Sequence, residues 1–203
     1  LVGIYQFLKR NWREATIIST AALFLSLDRY HPVWENWFST LLFYGILPII
    51  VILVILRRNP LDFGLRFGNP RIWGPLVAIT CLVGAPILYF TSFSPEFQTY
   101  YTQARFNPGI YALQSMASLF ASEFLFRGFL LFGLKNKLGE GSIFVQMVPF
   151  VLVHFGKPEL ETVSTILTGV LFGYIAYRGR SFWPAYLIHL FINIFFLAAV
   201  NLW

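Results

Sequence analysis

Long uncharged stretches separated by short charged gaps dominate this chain. A bilayer core about 30 Å thick is crossed by about 20 apolar residues in a helix, or fewer where flanking side chains snorkel. Seven segments predict spanning helices on this basis: Ala15–Leu27, which is short, Phe38–Leu56, Ile72–Phe93, Ala112–Leu134, Ser142–Phe155, Thr162–Tyr177 and Phe182–Trp203. The fourth is unusual, because Glu123 and Arg127 interrupt its apolar run. The first follows basic residues and so has the outline of a signal peptide. Ser26-Leu27-Asp28-Arg29-Tyr30 is a poor cleavage site, so this segment is expected to stay as an anchor. Arg57–Arg71 reads as a turn-rich loop, and Ser94–Pro108 as holding a short interfacial helix. With no repeat, low-complexity tract or linker, the sequence reads as one all-α membrane domain over 1–203. The N-terminal spans and loops occupy 1–111 and the core occupies 112–203.

Composition agrees with this pattern. Of 203 residues, 57% are hydrophobic and 12% charged, roughly half the charge that covers a soluble domain. A 19% aromatic content excludes a disordered chain. The single Cys81 excludes a disulfide framework and a cysteine metal cluster. A net charge of +6 raises the question of nucleic acid. The basic residues nevertheless fall in the gaps between spans, where membrane topology accounts for them and nucleic-acid binding is set aside. Eleven lie in alternate gaps (Lys9 to Arg13, Arg57 to Arg71, Lys135 to Lys137, Arg178 to Arg180), against Arg29, Arg105 and Lys157 in the others. Because Lys and Arg accumulate on the cytoplasmic side, the N-terminus is expected in the cytoplasm. The short loops suggest a bacterial inner membrane, and an endoplasmic reticulum protein also fits.

Polar residues inside spans are costly and usually face a cavity, partner or substrate. Glu123, His154, His189 and Asn193 stand out. Glu123 and Arg127 are four apart with the acid first, the favourable order for an intrahelical pair. His189 and Asn193, also four apart, share a face and offer donors to one point. At about 1.5 Å per residue, the four lie about 10–18 Å from the cytoplasmic ends of their spans. An acid, two histidines and an amide at similar depth suit hydrolysis of an amide by water. A carboxylate and a histidine deprotonate the water, and a protonated His with an Asn holds the oxyanion. Zinc ranks lower without a His-Glu-x-x-His motif, and Ser122 lacks the context of a serine nucleophile. No metal or other cofactor is required. Gly169-Val170-Leu171-Phe172-Gly173 reads as a close helix contact.

Glu123-Phe124-Leu125-Phe126-Arg127-Gly128, Phe150-x-x-x-His154 and His189-x-x-x-Asn193, in this order on successive apolar helices, resemble the intramembrane glutamic proteases. That family includes the type II CAAX prenyl endopeptidase and the bacterial CPBP proteins. The resemblance covers about Ala112 to Asn201. It implies that a glutamate and His154 activate water, that His189 and Asn193 form the oxyanion hole, and that Arg127 holds the acidic motif. It also implies a membrane-embedded or lipidated peptide or protein as substrate within the lipid bilayer. The family usually opens its first motif with two glutamates, whereas here Ser122 precedes Glu123. Three readings follow. Glu123 is itself the base; Glu159 or Glu161 supplies a second carboxylate from a loop folded into the cavity; or the chain is a non-catalytic relative that binds a membrane partner.

The charge asymmetry predicts the outcome of cysteine labelling. In a Cys81→Ser background, Thr99→Cys in intact cells should react with an impermeant maleimide, and Arg66→Cys only after lysis. The reverse pattern would invert the topology.

Overall fold

The computed structural model describes residues 2–102 and 107–201. Among the described residues the chain is helical, with no strand. The helices are α1 (Val2–Arg10), α2 (Trp12–Tyr30), α3 (Asn36–Ile55), α4 (Pro70–Thr91), α5 (Pro95–Tyr101), α6 (Pro108–Leu138), α7 (Gly141–Leu152), α8 (Glu159–Gly179) and α9 (Trp183–Asn201). Five of them, α3, α4, α6, α8 and α9, are long and apolar enough to cross a membrane. The chain is an all-α polytopic membrane protein. The other two expected spans correspond to α2, with charges near both ends, and to α7, with only 12 residues. The interfacial helix expected in Ser94–Pro108 is α5; Arg105, Leu202 and Trp203 lie outside the described residues.

α6 is the central helix. It touches α2, α3, α7, α8 and α9. From Phe124 to Leu131 all of its residues are buried, so the helix is enclosed on every side there. Residues Phe124–Phe132 are wound as a π-helix, a rare widening that concentrates at functional sites and begins directly after Glu123. α4 packs on α8 and α9 and leaves Ile79, Leu82, Val83, Ile87 and Phe90 uncovered. In a membrane that apolar face is satisfied by lipid rather than by protein.

The loops sort the charges into two ends. The amide of Asn69 donates to Gly179 O at 2.9 Å, that of Phe182 to Gly64 O at 3.1 Å, and the Trp183 indole to Leu65 O at 3.0 Å. Lys135 Nζ reaches Tyr177 O at 3.5 Å, and Ile17 of α2 packs on Gly133. The four basic gaps therefore meet at one end of the bundle. At the other, Ser39 Oγ donates to Asp28 at 2.5 Å, Gln114 Nε2 to Glu35 at 3.2 Å, and the Glu159 amide to Glu96 at 2.9 Å.

Two boundaries differ from the sequence reading in ways that matter for the site. The fifth span was expected to run to Phe155, but α7 stops at Leu152 and His154 sits in the irregular backbone that follows. Gly156, with φ +94, permits the reversal there, and the following Pro158 has no amide with which to continue a helix. Glu159 and Glu161, which one of the three readings placed in a loop, lie in the first turn of α8. Carboxylates are favoured there, beside the unsatisfied amides of a helix start.

α7 and α8 approach closely where Gly169 and Gly173 face Met147, Phe150, Ile143 and Gln146. Gln146 Nε2 uses that proximity to donate to Gly169 O at 2.8 Å. A methyl group at Gly173 would stand 2.6 Å from Gln146 Nε2 and 3.0 Å from Ile143 Cγ2. Gly173→Ala should therefore lower stability by about 1–3 kcal/mol, read from thermal unfolding in detergent. Gly74→Ala, where a Cβ meets nothing within 4 Å, should leave the midpoint unchanged or raise it.

Candidate active site

Glu123 is the sixteenth of the 31 residues of α6, and so sits at its middle. Its carboxylate and the Arg127 guanidinium have no exposed surface. Arg127 Nη1 donates to Glu123 Oε1 at 3.0 Å. His189 of α9 places Nδ1 2.7 Å from the same oxygen, with 16% of its side chain exposed. A carboxylate oxygen only accepts, so His189 presents Nδ1–H to it and turns Nε2 away. α9 is fixed on this part of α6 by Tyr186, whose hydroxyl donates to Met116 O at 3.2 Å.

Arg127 is held by more than its carboxylate. Its Cζ lies 4.0 Å from the ring centroid of Phe150, 5.3 Å from that of Phe172 and 5.9 Å from that of Phe126. Nε and Nη2 are buried without a hydrogen-bond partner. Aromatic faces attract a cation most strongly where water is excluded, so the three rings stand in for the missing acceptors. The sequence reading included Phe150 through its motif and saw the Phe172 region only as packing. The signal for Phe172 is its position between the two glycines that let α8 approach.

His154 is brought into the same neighbourhood without touching Glu123's hydrogen-bonding oxygen. Its Nδ1 donates to Phe150 O at 2.7 Å, which leaves Nε2 as an acceptor in the neutral ring. The Phe150 ring lies 4.8 Å from the His154 ring and 6.0 Å from that of His189, joining the two histidines through one aromatic wall. Asn193 lies one turn along α9 from His189, and its Oδ1 is buried with no partner. Glu123 Oε2 is likewise buried and unpartnered. The five residues of the three motifs thus fall into a contact cluster of Glu123, Arg127 and His189, with His154 behind Phe150 and Asn193 a turn away.

The Glu161 carboxylate is engaged elsewhere, and Glu159 is bonded through its backbone. Glu161 Oε1 pairs with Lys157 Nζ at 2.8 Å and Oε2 accepts from Tyr101 O–H at 2.6 Å, while the Glu159 amide bonds to Glu96. Among the described residues no three His, Cys, Asp or Glu side chains gather in a metal-holding geometry. A groove of about 980 Å³ runs between α2 and α7, bordered by Ala22, Ser26, Tyr44, Leu130, Val148 and Leu152. Asp28 and Arg29 lie at its polar end.

The family model described as Type II CAAX prenyl endopeptidase Rce1-like matches residues 105–195. The likeness covers a little under half of the chain. The match takes in α6, α7, α8 and most of α9, with Glu123, Arg127, His154, His189 and Asn193 all inside it. Comparison with curated proteins and with solved structures finds no match. Of the helices that precede the matched segment, α2 and α3 pack on α6.

Removing one member of a buried ion pair strands the other. Arg127→Met, which leaves the Glu123 carboxylate without its cation, should destabilise the protein by about 3–5 kcal/mol. Adding Glu123→Gln to that variant should restore part of the loss. Equal and additive losses in the two single variants, measured by unfolding in detergent, would show that the pair is not coupled.

Proposed function

We propose that this chain is an intramembrane endopeptidase that hydrolyses a peptide bond with a water activated by Glu123 and His154. The observation that carries the reading is the 2.7 Å contact between Glu123 and His189, which joins α6 to α9 through a carboxylate and an imidazole inside an apolar bundle. Among the acceptors left over by the protein's own bonds are a carboxylate oxygen and an imidazole nitrogen, Glu123 Oε2 and His154 Nε2. They are the groups available to take the proton of an attacking water. The role asked of His189, with Nδ1–H directed to Glu123, is to offer Nε2–H of its protonated ring to the oxygen of the carbonyl under attack. Asn193 offers its amide from the next turn, its O and N ends being interchangeable by a half-turn of the side chain.

The water oxygen bonds to the carbonyl carbon, its proton passes to the His154–Glu123 side, and the collapsing intermediate expels the amine. That amine takes the proton back as the C–N bond breaks. Arg127 holds the Glu123 carboxylate in place. The substrate class supported by the Rce1-like match is a membrane-associated or lipidated peptide or protein. The basic end supports a cytoplasmic N-terminus, and the short loops an inner bacterial membrane.

Ser122 supports a second reading. It stands where the resembled family places a glutamate, and the hydrogen-bond partner of His154 is a backbone carbonyl rather than a carboxylate. A scaffold that binds a membrane partner without cutting it would keep the packing of α6 to α9 and dispense with that acid.

The two readings separate in a comparison of new peptide termini from membranes carrying wild type, Glu123→Gln, His189→Ala and Asn193→Ala at matched expression. A peptidase should produce termini that fall by about 10²–10³-fold when an oxyanion donor is removed. Termini that persist in Glu123→Gln but vanish in His189→Ala would take the base role from Glu123. If no terminus depends on any of the variants, the scaffold reading replaces the peptidase.

A further inference from the structure

We propose that Tyr101, Glu161 and Lys157 form a positioning device for His154, through which α5 sets where the histidine ring stands. The inference rests on the proposed role of His154. That residue belongs to no helix, so its place depends on the bonds made by its own backbone. Its carbonyl accepts from Thr162 Oγ1 at 2.9 Å and from the Lys157 amide at 3.1 Å. Both donors belong to the turn that opens α8.

That turn is in turn pinned by α5. Glu161, one residue before Thr162, has both oxygens engaged, by Lys157 and by the Tyr101 hydroxyl. The Glu159 amide is held by Glu96. Tyr101 itself is anchored in a buried cluster, stacked at 6.4 Å on Phe97 and edge-on at 5.5 Å to Phe196 of α9. Burial and the Glu161 carboxylate hold the Tyr101 phenol well above its ordinary pKa, so it remains a donor. A continuous path of packed rings and hydrogen bonds thus runs from α9 and α5, through Glu161, to the backbone of His154. These three residues are positioning residues, because none of them touches the ring.

The test uses the full chain in detergent, with Tyr101→Phe, Glu161→Gln and the double variant. Carbethoxylation of His154 is followed by mass spectrometry, with the exposed His31 as internal reference. Loosening the turn should raise the His154 rate at least about threefold in either single variant. The double variant should match the larger single effect, since both remove one contact. On a substrate identified from its termini, kcat should fall on the order of tenfold with KM within about twofold, the signature of a misplaced reacting group. Should Tyr101→Phe fail to fold, Glu161→Gln, which keeps the side-chain size, carries the test. An unchanged His154 rate in the folded single variants overturns the proposal, as do additive effects. A raised His154 rate in a protein whose wild type cleaves nothing upholds the device and removes the peptidase reading instead.

Discussion

A carboxylate and a guanidinium with no exposed surface, placed at the middle of a helix in hydrocarbon, leave the rest of the bundle little choice. Either charge alone in that position would be prohibitive, and their mutual attraction only partly offsets the loss of water. The remaining compensation comes from neighbouring helices. α9 brings the His189 ring to the shared oxygen, α7 lays Phe150 over the guanidinium, and α8 adds Phe172. Three of the helices that pack on α6 thus supply something to Glu123 or Arg127, and the close α7–α8 contact at Gly169 and Gly173 lets two of those rings arrive together.

The same constraint shapes the chemistry. Glu123 Oε1 is committed to two donors, so its second oxygen and the far nitrogen of His154 are the acceptors left for a water. The division of labour between the histidines follows from what each Nδ1 faces, a carboxylate for His189 and a backbone carbonyl for His154. The first directs an N–H at an anion and the second at a neutral oxygen. One fold thus offers a donor and an acceptor of the same residue type, distinguished by surroundings alone.

Much of this was legible in the sequence, and the limits are physical. Uncharged runs gave the helices, and i, i+4 spacing put Glu123 with Arg127 and His189 with Asn193 on shared faces. The spacing could not say which histidine meets Glu123, because that depends on how α9 seats against α6, fixed in part by a hydroxyl bond from Tyr186 to Met116. Helix ends were hidden as well. Apolar residues continue through Val153 and Phe155, so hydropathy runs past the point where the backbone leaves α7, and only the positive φ of Gly156 marks the reversal. The contact between Tyr101 and Glu161 joins residues sixty positions apart and has no local signature. Glu161 therefore read as a candidate second carboxylate, with nothing in the sequence to show its bond to Tyr101.

The disparity between α6 and α7 carries a consequence for the surrounding lipid. α6, with 31 residues, is about 45 Å long, whereas α7, with 12, reaches about 18 Å. Acyl chains alongside α7 meet a hydrophobic wall far shorter than the bilayer they belong to, and a bilayer responds to such a wall by thinning. Non-helical backbone at that depth is tolerated where protein or a water-filled space surrounds it. A bilayer that thins against α7 would bring headgroups and water closer to the end of that helix, next to which His154 sits. The short helix thereby makes membrane thickness itself a variable in how readily water reaches the bundle interior.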